Sequence, residues 1–124
     1  MRCMSLPANL VTIHPYFKVH AGKWPEVEEV LKEFVATTRS EPLCLFYEFT
    51  VNGAEVFCRE GYIGAEGTLA HLQNVGAVIE KMLQFSDMTK LEFHGPAAEI
   101  DKLREPLAHL EPAWFVLHSG LERS

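Results

Sequence analysis

Three side chains able to move protons lie close together in one stretch, Val56 to Gly76, which reads VFCREGYIGAEGTLAHLQNVG. Alternation places Val56, Cys58, Glu60 and Tyr62 on one face of a strand, and Glu55, Phe57, Arg59 and Gly61 on the other. Glycines at 61, 64 and 67 turn the chain, and a helix then carries His71. An imidazole titrates near neutral pH and can take a proton from a phenol. Glu60 can orient that imidazole or stabilise its protonated form. The hydroxyls of Tyr62 and Tyr47 can bond a substrate oxygen. Each group also has a plainer role. His71 fits a half-buried histidine satisfied by a carbonyl or by Glu60, Glu60 fits a solvated edge charge, and the two tyrosines fit core aromatics with a surface hydroxyl.

The elements that must hold these groups follow from the pattern. Residues 10–20 alternate as a strand, and Pro15 within them predicts an edge position or a bulge. Pro25 opens an amphipathic helix over residues 25–39, with Val27, Val30, Leu31, Phe34 and Val35 at helical spacing. Trp24, at the mouth of that helix, either lids an aromatic pocket or packs the helix entry. Glu41–Pro42 ends the segment. A strand over residues 43–51 puts Tyr47 with Leu43, Leu45 and Phe49 on one face, and Cys44 with Phe46 on the other. Asn52–Gly53 predicts a type I′ hairpin leading into the strand 54–62. A second helix spans about 66–84, with a break near Asn74–Gly76, and a fourth strand runs 88–94. A short helix over 97–103 and a last strand over 113–118 complete the chain.

Residues 1–9 read as a loose leader and residues 10–124 as one domain. The order β-α-β-β-α-β, with an extra helix and strand, is the split arrangement of a ferredoxin-like α+β domain: an antiparallel sheet with both main helices on one face. The other face is left open. Its aromatic strands call for a cover, and a homodimer through that face is the simplest one.

The chain has 17 acidic and 11 basic residues, a formal net charge of −6, and no basic run, so nucleic acid is not an expected partner. It also has no apolar run of membrane-spanning length and no export signal at its start. The three cysteines, Cys3, Cys44 and Cys58, read as reduced thiols in a cytoplasmic protein. No metal ligand set is expected, because no HxxxH or HExxH spacing occurs. His14 and His94 are nonetheless candidates to meet across a strand pair. P-loop, dinucleotide and GxSxG patterns are lacking as well.

From about His14 to Phe93 the sequence resembles the antibiotic biosynthesis monooxygenase domains, members of the dimeric α+β barrel group. The likeness rests on element order, on Glu41-Pro-Leu-Cys-Leu-Phe-Tyr47, and on Glu60-x-Tyr62 followed nine residues later by His71. Where the family often has tryptophan this chain has Tyr62, and Asn74 stands where a small or hydroxyl residue is common after the histidine. The resemblance implies a cofactor-independent monooxygenase acting on a phenolic, quinol or polycyclic aromatic molecule. His71 would be the base, Glu60 its orienter, and Tyr62, Tyr47 and Trp24 the substrate contacts. Two other readings accompany it. One is a non-catalytic dimer that binds a small aromatic ligand. The other is a haem-binding or haem-degrading relative with His71 as axial ligand.

Overall fold

The computed structural model describes residues 6–121; residues 1–5, with Cys3 and most of the expected leader, and residues 122–124 lie outside it. The order is β1 (Leu10–Val19), α1 (Trp24–Thr38), β2 (Cys44–Asn52), β3 (Glu55–Ile63), α2 (Gly64–Asn74), α3 (Gly76–Phe85), β4 (Ser86–Gly95), α4 (Ala97–Arg104), a 3-10 turn (Ala108–Leu110) and β5 (Ala113–Val116). The sheet order is β2-β3-β1-β4-β5. Its first four strands are antiparallel, as a ferredoxin-like domain requires, and β5 adds to β4 in parallel. The fold is therefore α+β with a mixed sheet. None of its described helices is long and apolar enough to cross a membrane.

Alternation on β1 decides the layering. Val11, Ile13, Pro15, Phe17 and Val19 are buried under the helices, and Thr12, His14 and Tyr16 face the other way. One core cluster joins Phe17, Val27, Val30, Phe34, Val56, Val75, Val78 and Met82 beneath α1 and α3. A second joins Val11, Ile13, Tyr62, Ala65, Phe93, Ile100 and Leu103 beneath α2 and α4. Burial of such side chains supplies most of the folding drive, at about 1.5–3 kcal/mol each.

Of the edge position or bulge expected at Pro15, the structure has the second: the strand is central, and its ladder to β4 slips between Tyr16 and Phe17, next to the proline that lacks a donor. Two local expectations are corrected. The hairpin pairs Asn52 with Glu55, so Gly53 and Ala54 form the loop. Positive φ falls only on Gly53, as a type II′ turn wants and a type I′ turn does not. On β2 the register shifts between Cys44 and Phe46, which brings Cys44 opposite Tyr62 and onto the same face as Tyr47. The expected second helix breaks at Val75, where the Val75 N–H bonds the His71 carbonyl before α3 starts.

The C-terminal extension bears on the site helix. Gly64 starts α2 at φ +65°, and the Ala65 N–H donates to Glu99 Oε1 of α4 at 2.9 Å. A Cβ at Gly64 would meet that oxygen at 2.8 Å. Gly76 has ordinary φ and open space around it. Gly64→Ala is therefore expected to cost about 1–2 kcal/mol in urea unfolding. Gly76→Ala is expected to gain about 0.4–1 kcal/mol in the same measurement.

Candidate functional site

At the seam of the two core clusters, β3 and α2 bring His71 and Glu60 together. His71 is 2% exposed and Glu60 4% exposed. His71 Nε2 lies 3.4 Å from Glu60 Oε1, and the Tyr62 hydroxyl donates to that same oxygen at 2.6 Å. The alternation that put Glu60 and Tyr62 on one face of a strand is the cause, since both project toward α2. Tyr47, opposite Glu60 on β2, has its ring centroid 5.1 Å from that of His71.

The partner on the other ring nitrogen is Glu41, which had been read only as the end of the first helix. His71 Nδ1 lies 3.1 and 3.0 Å from its two carboxylate oxygens. A carboxylate only accepts, so Nδ1 carries the hydrogen and Nε2 keeps its lone pair. Asn74 Nδ2 donates to Glu41 Oε2 at 2.8 Å and to the Thr37 carbonyl at 3.0 Å. Glu41 is thus placed against Nδ1 and Glu60 against Nε2, so a carboxylate faces each ring nitrogen. The signal for Glu41 in the sequence was the Glu-Pro turn inside the motif that carried the resemblance, but nothing in a sequence reveals a contact across 30 residues.

Burial disfavours charge at this seam. It pushes the Glu60 carboxyl up to about 7, although the Tyr62 hydroxyl pulls the other way. Burial also holds the His71 imidazole below its ordinary range, opposed by Glu41. The Tyr62 and Tyr47 phenols and the Cys58 thiol are raised, chiefly by burial, and stay protonated. Near neutral pH, then, a neutral imidazole faces a carboxyl that holds or shares a proton. The pair can accept one proton and pass it over 3.4 Å.

Ile13, Pro15, Phe34, Tyr47, Cys58, Glu60, His71 and Leu91 are among the walls of a cavity of about 50 Å³ here. That holds a water or two but not an aromatic ring. Tyr47 separates it from an outer groove of about 240 Å³ that Thr38, Arg39, Glu41, Cys44 and Phe46 also line. Thr38 Oγ1 is buried beside this groove with no hydrogen-bond partner among the described residues. Trp24 is not brought to the seam. It is 36% exposed and lines a different groove with Leu31, Val35 and Val51. His14 and His94 do meet, on the opposite face of the sheet, with ring centroids 4.2 Å apart.

The Glu60 carboxyl makes stability depend on pH. Its folded value lies above its unfolded value of 4.5, so its stabilising contribution is full below 4.5 and lost as pH rises to about 7. His71, held low, works the other way, so wild type must be compared with Glu60→Gln to isolate the carboxyl. Urea unfolding is expected to show the variant gaining on wild type by up to about 3 kcal/mol between those pH values, with no further gain above them.

No family model matches the sequence, and no curated protein matches it. Solved structures do. MupZ from Pseudomonas fluorescens is 34% identical and superposes with a TM-score of 0.89, covering 93% of this chain and 95% of that one. A Caulobacter crescentus protein provisionally described as an antibiotic biosynthesis monooxygenase is 21% identical, with a TM-score of 0.61 over 69% of this chain and 88% of its own. Another structure described as an antibiotic biosynthesis monooxygenase is 16% identical, with a TM-score of 0.59 over 67% and 92%. The last two speak for the fold alone. The first reaches further, and with the seam geometry it establishes that the chain belongs to the family of MupZ and has the fold of the antibiotic biosynthesis monooxygenases.

Proposed function

We propose that this protein is a cofactor-independent monooxygenase acting on a small phenolic or quinol-type aromatic molecule. The observation that carries the reading is the His71 Nε2 lone pair, aimed by Glu41 at a buried apolar cavity beside Glu60. His71 takes the phenolic proton, and the Glu41 carboxylate on Nδ1 stabilises the imidazolium that forms, helped by Glu60 where it is ionised. The electron-rich phenolate then gives an electron to dioxygen. On an anthrone-type carbon bearing two hydrogens, one oxygen atom of dioxygen becomes the carbonyl. The other leaves as water with those two hydrogens, so no outside reductant is consumed.

The aromatic ring of the substrate sits in the outer groove of about 240 Å³, because the cavity at His71 is too small for it. Tyr47 lines both spaces, and its ring must swing aside for the substrate hydroxyl to meet the base; the Thr38 hydroxyl and the Tyr47 phenol are the polar contacts on the way. Non-catalytic binding of a small aromatic ligand in that groove is the second reading, favoured by the small volume at His71. Haem does not fit at His71: a carboxylate flanks each ring nitrogen and the cavity is far smaller than a macrocycle.

A homodimer through the open sheet face is part of the same proposal. Phe46 and Phe115 are partly exposed there, and Tyr16 and Phe57 pack together beside them. A second copy would hide this surface. Sedimentation is expected to give twice the chain mass, and Phe46→Lys to shift the species toward single chains. A wild-type monomer at micromolar concentration overturns this part.

The catalytic part is tested by oxygen uptake with a panel of quinols and anthrones. His71→Ala is expected to lower uptake about a hundredfold or more, and Glu41→Gln to lower it less. Binding of the same compounds without oxygen uptake selects the second reading. Uptake unchanged in His71→Ala removes the imidazole from the chemistry.

A further inference from the structure

On the face of the sheet turned away from His71, three groups able to bind a metal converge. In the β1–β4 ladder His14 lies opposite Glu92 and Thr12 opposite His94. Alternate residues of two antiparallel strands thus put two imidazoles and one carboxylate on one surface. One ligand atom from each of the three lies within 4.8 Å of the others.

Each member is held from outside. The Thr12 hydroxyl sits 2.8 Å from His14 Nε2. Phe115 stacks on His94 at 4.4 Å and 9°. Lys90 Nζ lies 2.9 Å from Glu92 Oε2, which leaves Oε1 turned to His94 Nε2 at 3.0 Å. Glu92 is only 7% exposed, so its orientation is set by these partners and not by solvent. Such outer contacts are what aim the ligands of a metal site.

We propose that His14, Glu92 and His94 bind a divalent first-row transition-metal ion on the open face of the sheet. The 3.0 Å between His94 Nε2 and Glu92 Oε1 matches the cis edge of a six-coordinate ion with bonds of about 2.1 Å, and a small opening of the pair brings it to the roughly 3.4 Å edge of a tetrahedral one. Small rotations of His14 bring the third ligand in. The ion takes the place of the hydrogen between His94 Nε2 and Glu92, and the neutral ring then carries its N–H on Nδ1. Two imidazoles with one carboxylate suit zinc, cobalt or iron(II) better than magnesium or calcium. The Lys90 ammonium repels the ion and limits its affinity without blocking Oε1. All three ligands come from one chain, so the site needs no second copy to form. Its face is the one the proposed homodimer would cover, and the bound ion would then lie within that interface. The sheet separates it from the proton chemistry proposed at His71.

The test uses protein dialysed against a chelator, then titrated with zinc chloride by calorimetry and with cobalt chloride by visible absorption. One zinc per chain and a cobalt absorption spectrum are expected. The His14→Ala/His94→Ala double variant, and Glu92→Gln alone, are expected to weaken zinc binding more than about tenfold. A His20→Ala/His109→Ala/His118→Ala variant is expected to bind as wild type does, which separates the cluster from adventitious surface imidazoles. Circular dichroism verifies the fold, and His14→Asn and His94→Asn singly replace the double variant if it does not fold. Wild type without a zinc equivalent overturns the proposal. So does a cluster variant that binds as tightly as wild type.

Discussion

The candidate site depends on one arrangement: an imidazole buried between two carboxylates. Bulk water would screen each charge, and burial keeps most of it away from them. Glu41 answers on one side by accepting the Nδ1 hydrogen, with Asn74 donating a second hydrogen bond to its Oε2. Glu60 answers on the other by holding its proton up to about 7. A buried cluster of this kind is weak support for stability, because desolvation offsets much of the attraction. It is better understood as a pre-set proton acceptor, for which the fold gives up some stability.

The surroundings keep that cluster in register. β3 supplies Glu60 and Tyr62 from one side of the sheet, and α2 supplies His71 two turns after its start. The start of α2 is fixed by Glu99, which reaches over from α4 to take the Ala65 N–H. The extension beyond the β-α-β-β-α-β core therefore acts on the site helix without touching its chemistry. The sheet also divides the molecule in two. Its helix side holds the buried imidazole and its carboxylates, and its open side holds aromatic surface and the pair of histidines at 14 and 94.

Much of this was legible in the residues. Period-two and helical spacing depend only on neighbours along the chain, so the five strands, the first helix, the second-helix break and the face shared by Glu60 and Tyr62 could all be read directly. Local steric rules were less decisive where two answers satisfy them. A glycine after an asparagine fits two hairpin turns, and the observed one uses Gly53 with Ala54. Proline in a strand fits an edge or a bulge, and Pro15 sits in the central strand with a register slip close beside it.

Tertiary structure alone decided which charges meet. Glu41 finds His71 across 30 residues, and the slip between Cys44 and Phe46 moves Cys44 to the face of Tyr47. It placed Trp24 away from the seam and closed the cavity at His71 to about 50 Å³. It also set Glu92 between two histidines that lie 80 residues apart in the chain. Spacing along the chain governs which way a side chain points within its own element. Distance between elements, and with it every buried ion pair and every cavity volume, exists only once the layers have packed.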